Sequence, residues 1–214
     1  MIGEAIAAGW DVEAEYVAAG AVACSSGQVF ELAEGVLERV ATTERPQPNL
    51  AVVRTPRSAA PLATAHLVLV ADAVSDPGNL GTMLRSSEAA GVDVVVLTPG
   101  SVDVFNPKVV RASAGAVFHV PVVSVGLDEV RAAGLRLIGS SSHRGVSHTD
   151  ADWSGRVAIV VGNEAHGLAD GAPVDGWVTI EHAGRAESLN VAMASTLLVF
   201  EAARSRLAAS GDRA

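Results

Sequence analysis

The chain has 214 residues, 49% of them hydrophobic and 18% charged, which suits one or two globular domains with a sizeable core and excludes global disorder. The single cysteine, Cys24, excludes an intramolecular disulfide framework and a cysteine-based zinc cluster, and no apolar run nears the ~20 residues of a membrane helix. The net charge of −9, with 14 arginines and one lysine (Lys108), speaks against a general nucleic-acid binder but leaves room for a local arginine patch.

In chain order, the opening Met-Ile-Gly-Glu lacks a basic region followed by an apolar core, so no secretory signal is expected and the cytoplasm is the default. A helical pattern covers residues 2–8 and ends at Gly9. Residues 15–19 read as a strand, closed by Gly20. Phe30, Ala33, Val36, Leu37 and Val40 recur at helical spacing, which predicts a helix over 30–40. Arg45-Pro46-Gln47-Pro48-Asn49 cannot be regular helix, and 50–53 is a short apolar run. Residues 55–61 hold two prolines and read as a linker, so a domain boundary is expected near 55–64.

From residue 65 onward strands alternate with helices. Strands are expected at 67–71, 92–97, 120–125, 135–139, 157–161 and 177–180, and helices at 79–90, 107–113, 127–133 and 188–206. The strands are continuous Val/Ile/Leu runs, the pattern of strands covered on both faces. Together they predict an α/β fold with a mostly parallel sheet flanked by helices. The last helix carries Val191, Met193, Leu197, Leu198, Val199 and Phe200, apolar nearly all round, and is expected to be buried.

No dinucleotide-binding glycine fingerprint follows residues 67–71. Gly162 and Gly167 have the spacing of a phosphate-binding loop, but Leu168 stands where it needs lysine. No nucleophile elbow is present. Three segments remain, each just beyond a strand, where α/β proteins keep their sites. In the first, Asp76-Pro77-Gly78-Asn79-Leu80-Gly81, Asp76 suits an N-cap and Pro77 a first turn. Gly81 stands one helical turn before Arg85, leaving room for a bulky partner near that arginine. In the second, Gly162-Asn163-Glu164-Ala165-His166-Gly167-Leu168, two glycines expose backbone to a ligand, or simply make a tight turn with Glu164 at a helix start. In the third, Ser188-Leu189-Asn190-Val191, capping explains Ser188 better than Asn190, which points Asn190 at a ligand.

His143, His148, His166 and His182 show no ligand spacing or carboxylate support, so no metal site is expected. Trp10, Trp153 and Trp177 read as packing residues.

In this order the three segments resemble the three motifs of the SpoU family, RNA ribose 2′-O-methyltransferases of the SPOUT class. Asn79, Gly81 and Arg85 match the first motif, Gly162, Asn163, Glu164, Gly167 and Leu168 the second, and Ser188 to Val191 the third, over a stretch from about 65 to 206. The resemblance implies a C-terminal trefoil knot, roughly over 157–206, that binds S-adenosylmethionine, and a homodimer. It implies catalytic roles for Arg85, Asn79, Glu164, Ser188 and Asn190. It implies cofactor contacts from Leu97, Thr98, Pro99, Gly100, Gly162, Asn163, Glu164, Gly167, Leu168, Ile180, Ser188, Leu189 and Asn190. One departure is Ile180-Glu181-His182, where the family has an apolar Ile-Pro-Met/Leu run. Residues 1–56 resemble, more loosely, part of the ribosomal-protein-like RNA-binding domain found before many family members. The chain starts inside that domain, so a truncated domain over 1–56, a linker over 57–64 and a methyltransferase domain over 65–214 are expected. Arg39, Arg45, Arg54 and Arg57 form either an RNA-facing patch or a solvated surface. The implied reaction is methylation of a ribose 2′-hydroxyl, of rRNA in view of the N-terminal domain. The alternatives are a tRNA enzyme and a non-catalytic RNA-binding protein that keeps the fold.

Overall fold

The computed structural model describes residues 1–41, 46–56 and 62–211, without the side chain of Ser210. It divides into two compact units, Met1–Ser58 and Ala59–Ala214.

The first unit holds helix α1 (Ile2–Ala7), strands β1 (Asp11–Ala18) and β2 (Gln28–Leu32), helix α2 (Val36–Val40) and strand β3 (Asn49–Arg54). Gly9, with φ +76°, turns α1 into β1 in a backbone conformation that suits glycine. The sheet order is β2-β1-β3, with β2 parallel and β3 antiparallel to β1. The helix expected over 30–40 is instead a strand followed by one helical turn. Phe30 pairs with Tyr16 across the ladder and stacks on its ring at 5.4 Å, a tertiary contact that overrides a helical period of only three turns. Arg54 is paired with Asp11 and Glu13, so it is no free cation. Arg45 and Arg57 lie outside the described residues.

Glu15 is fully buried on β1. Burial alone would raise its pKa. The carboxylate accepts N–H bonds from Cys24 (2.8 Å) and Ser25 (2.7 Å) and one from the Asn49 amide (2.7 Å). These bonds prevail and pull the pKa from 4.5 down to about 2. A depressed carboxylate stabilises the fold fully above its unfolded value and loses that stabilisation as pH falls through the folded one. The first unit is therefore expected to lose stability between pH 4.5 and about 2. Glu15→Gln should cost about 2 kcal/mol at neutral pH, because three donors lose a charged acceptor, and it should flatten that acid slope. Chemical denaturation against pH checks both.

The second unit is an open sheet of seven strands, all pairings parallel, in the order β6-β5-β4-β9-β7-β10-β8. The strands are β4 (Leu67–Ala71), β5 (Val94–Leu97), β6 (Val122–Ser124), β7 (Arg136–Ser140), β8 (Val146–Ser147), β9 (Val157–Val161) and β10 (Gly176–Thr179). The helices are α3 (Pro77–Ala90), α4 (Pro107–Ala112), α5 (Leu127–Ala132) and α6 (Val191–Ser210). The α/β reading with a mostly parallel sheet holds, and β8 is an addition to it. Alternate residues of the central strands enter opposite cores. Leu67, Leu69 and Ala71 face one side with α3 and α6, and Val68 and Val70 face the other with Val130 of α5. Double-sided burial explains the unbroken apolar runs. Trp153 packs fully buried in the first of these cores.

Two expectations about helices change. Helix α6 begins at Val191, not at residue 188. It is also not buried all round: Met193, Leu197, Phe200 and Leu207 are each 45–57% exposed. Gly81 is explained differently too. A Cβ there would fall 2.4 Å from the Ala112 Cβ and 2.9 Å from the Ser113 nitrogen. The bulky partner that needs the missing side chain is the end of α4 in the same chain.

Candidate active site

The strand order places a cavity of about 640 Å³ at the carboxyl ends of β9, β7 and β10. Parallel sheets gather binding loops at these ends, next to the point where the strand order reverses. The chain leaves β9 through Gly162, folds back through an Asn163–Gly167 bridge, and presents Asn163, Glu164, Gly167 and Leu168 to the cavity. A Cβ at residue 162 would lie 2.2 Å from the Gly167 carbonyl carbon and 2.3 Å from the Leu168 nitrogen. Only glycine lets the loop close on itself there. Gly167 has φ +65° and completes the turn.

The three motif segments meet in one chain of hydrogen bonds. Asp76 caps α3 by accepting from the Asn79 N–H (2.8 Å). The Glu164 carboxylate accepts from the backbone of Asp76 (3.0 Å), the backbone and hydroxyl of Ser75 (3.3 Å each) and the Asn79 amide (3.0 Å). Asn79 Oδ1 accepts in turn from Asn190 Nδ2 (2.9 Å). Asn190 Oδ1 accepts from the Ala192 and Met193 N–H groups and is the N-cap of α6. Burial pushes the Glu164 carboxyl up, but these donors outweigh it and hold it below the usual carboxylate range. Glu164 thus fastens the start of α3 to the loop after β9, and its oxygens are engaged at neutral pH. The expectation that capping explains Ser188 better than Asn190 is corrected: Asn190 is the cap, and the helix starts at Val191, three residues later than expected.

Replacing Asn190 should therefore do two separable things. Asn190→Ala removes the cap, at about 1 kcal/mol, and the tie to Asn79, so thermal stability and ligand affinity fall together. Asn190→Asp keeps the cap acceptor but loses the donor to Asn79. It should keep most of the stability and still weaken binding. Thermal melts and calorimetry on both variants check the split.

Of the residues expected at the site, Asn79, Gly162, Asn163, Glu164, Gly167, Leu168, Ile180, Ser188, Leu189 and Asn190 line the cavity. Leu97, Thr98, Pro99 and Gly100 do not. They follow β5, which is separated from β9 by β4. Thr98 is buried and internally satisfied, donating to Asp72 (2.6 Å) and accepting from the Ala73 N–H (2.9 Å). Arg85 is exposed on α3 and also lies outside the cavity.

Sequence reasoning missed the run from Ser140 through Ser141, Ser142 and His143 to Arg144, which lines the cavity together with Trp177. A dense polar run just beyond an apolar strand was the available signal. Trp177, expected to be packing, forms cavity wall. Arg144 lies over its ring, 3.6 Å from the centroid. Among the described residues no cluster of His, Cys, Asp and Glu is arranged to hold a metal, and no helix is long and apolar enough to cross a membrane.

The model of the SpoU rRNA methylase family matches residues 66–200. The chain belongs to that family. It is 42% identical over 181 residues to the 23S rRNA (guanosine(2553)-2′-O)-methyltransferase RlmP of Bacillus subtilis (strain 168), covering 81% of this chain and 71% of that protein. It is 41% identical over 150 residues to the 23S rRNA (guanosine-2′-O-)-methyltransferase RlmB of Xanthomonas axonopodis pv. citri (strain 306), covering 67% of this chain and 60% of that one. Among solved structures it is similar to the SpoU methyltransferase AviRb from Streptomyces viridochromogenes in complex with AdoMet. That match has a TM-score of 0.85 and 29% identity, over 96% of this chain and 87% of the other. An AdoMet-bound rRNA methyltransferase from Sinorhizobium meliloti matches with a TM-score of 0.82 and 30% identity, over 96% and 85%.

The residues present fit S-adenosylmethionine. The buried Nδ1 of His182, a residue that lines the cavity, has no hydrogen-bond partner among the described residues. A buried orphan of this kind is costly unless a ligand or water meets it. The departure at Glu181 and His182 leaves the cavity open, with Ile180 and His182 lining it.

Proposed function

We propose that this chain is an S-adenosylmethionine-dependent RNA methyltransferase that methylates a ribose 2′-hydroxyl of rRNA. The observation that carries the reading is the hydrogen-bonded union of Glu164, Asn79 and Asn190, one from each motif, at the mouth of a cavity of cofactor size. Bound S-adenosylmethionine supplies an electrophilic methyl on a sulfonium. The protein must bring the ribose hydroxyl into line with it and help the proton leave, so catalysis is mainly positioning with base assistance. Arg85 offers a planar guanidinium fork suited to oxygen ligands. Its role is to polarise the hydroxyl or hold the adjacent phosphate.

Further features belong to the same reading. Residues 157–206 form the trefoil knot, the unit that precedes the methyltransferase domain is a ribosomal-protein-like RNA-binding domain, and the protein works in the cytoplasm. The chain is a homodimer. Met193, Leu197, Phe200 and Leu207 give α6 an exposed apolar stripe at helical spacing, the kind of surface that two-fold assembly covers. Because Arg85 does not line the cavity of its own chain, the dimer gives it a partner's cavity to serve. Tritiated methyl transfer onto ribosomal and transfer RNA, with mapping of the modified atom, tests the reaction. A mark on a base, or none on rRNA, sinks it. Light scattering at micromolar concentration should give twice the chain mass, and a Leu197→Glu variant should give the monomer.

A further inference from the structure

Arg144 is, among the described residues, the only arginine or lysine lining the cavity, and it lies outside the three motifs. It follows β7 at the end of a run of three serines and a histidine. Its guanidinium is stacked over the Trp177 ring, which holds the plane of the fork. One nitrogen lies 3.4 Å from an Asp170 oxygen. The arginine side chain is 40% exposed and the aspartate fully so. Such a pair is weak and readily exchanged for a ligand's charges. Asp170 also lines the cavity. Glu164 is not available for this task, because Ser75, Asp76 and Asn79 occupy its oxygens. The cavity wall therefore offers one planar cation and one weakly held carboxylate side by side.

That arrangement complements a free amino acid, which carries a carboxylate and an ammonium on one carbon. Resting on the functional reading above, we propose that Arg144, braced on Trp177, binds the α-carboxylate of the cofactor's methionine moiety, and that Asp170 receives its α-ammonium. The fork of an arginine grips a carboxylate through two parallel N–H bonds. The pair then distinguishes the intact cofactor from nucleosides that lack the amino-acid end.

Calorimetry with two probes tests this: S-adenosylhomocysteine, which has the amino-acid end, and 5′-methylthioadenosine, which lacks it. The wild-type protein should bind S-adenosylhomocysteine about 10- to 100-fold more tightly. Arg144→Gln should erase most of that preference and leave 5′-methylthioadenosine affinity unchanged, with Arg144→Lys between the two. Asp170→Asn should lower the preference by a smaller factor. Equal affinities in the wild type overturn the inference whatever the variants do. So does an equal loss for both probes in Arg144→Gln, which would mean that Arg144 only shapes the wall through Trp177. Unchanged affinities for both probes with weakened RNA binding also overturn it and assign Arg144 to the RNA backbone. If the wild type binds neither probe, it is the methyltransferase reading itself that fails.

Discussion

Arg85→Ala should cut methyl transfer by about 30- to 1,000-fold, the loss of about 2–4 kcal/mol from one charge-assisted contact used in the transition state. Affinity for S-adenosylmethionine should stay unchanged, because Arg85 is exposed on α3 and does not line the cavity of its own chain. Arg85→Lys should rescue poorly, since an ammonium lacks the planar fork. The exposed position also makes a sharper test available. If Arg85 serves a partner's cavity, mixing Arg85→Ala chains with chains that have a disabled cavity should restore activity, because some mixed dimers join an intact arginine to an intact cavity. No restoration would mean that Arg85 acts within its own chain. Near-wild-type transfer by Arg85→Ala would remove it from the mechanism, and a matching loss of cofactor affinity would make it structural.

The second large effect is expected at Gly162. The atoms that a Cβ would strike, at 2.2–2.4 Å, are all backbone atoms of Gly167 and Leu168. Backbone in a closed turn cannot step aside as the end of a flexible side chain can, so Gly162→Ala must open the loop after β9. Overpacking of this kind costs about 1–3 kcal/mol in stability. The opened loop also displaces Glu164 from Ser75, Asp76 and Asn79. Cofactor affinity should fall by about 100-fold or more, equivalent to about 3 kcal/mol. Gly171→Ala is the control. Nothing lies within 4 Å of its added carbon and its φ is not positive, so it should bind and melt like the parent. Binding by Gly162→Ala within a few-fold of wild type would show that the loop tolerates opening. This variant also supplies the disabled cavity for the mixing experiment.

Much of the catalytic unit was legible because it is written locally. The apolar runs at β4 and β9 coincide with the expected strands residue for residue, since double-sided burial forces every position to be apolar. Asp76 and Pro77 announced the start of α3 through capping chemistry that acts over three residues. The ordered motif segments identified the family without any knowledge of their arrangement.

What the chain alone did not reveal concerns partners distant in sequence. The region 30–40 carries a helical period, but β1 recruits half of it as a strand. The start of α6 was misplaced because Ser188 and Asn190 are both good caps, and the choice falls to Asn190, whose amide is also held by Asn79, 111 residues away. Gly81 needed α4, and Glu164 needed Ser75, 89 residues earlier. The end of β5 lies apart from the cavity because β4 stands between β5 and β9, and nothing in a strand's composition states its neighbours. By itself, then, the sequence determined most strands and helices of the second unit, the double-sided burial of its central strands and the three motifs. Adjacent residues set periodicity, capping and turn chemistry. Only the tertiary structure decided that β9, β7 and β10 hold the cavity, that β5 is excluded from it, and that Arg144 and Trp177 belong to its wall. Strand order follows from contacts between segments far apart along the chain, and no local pattern encodes them.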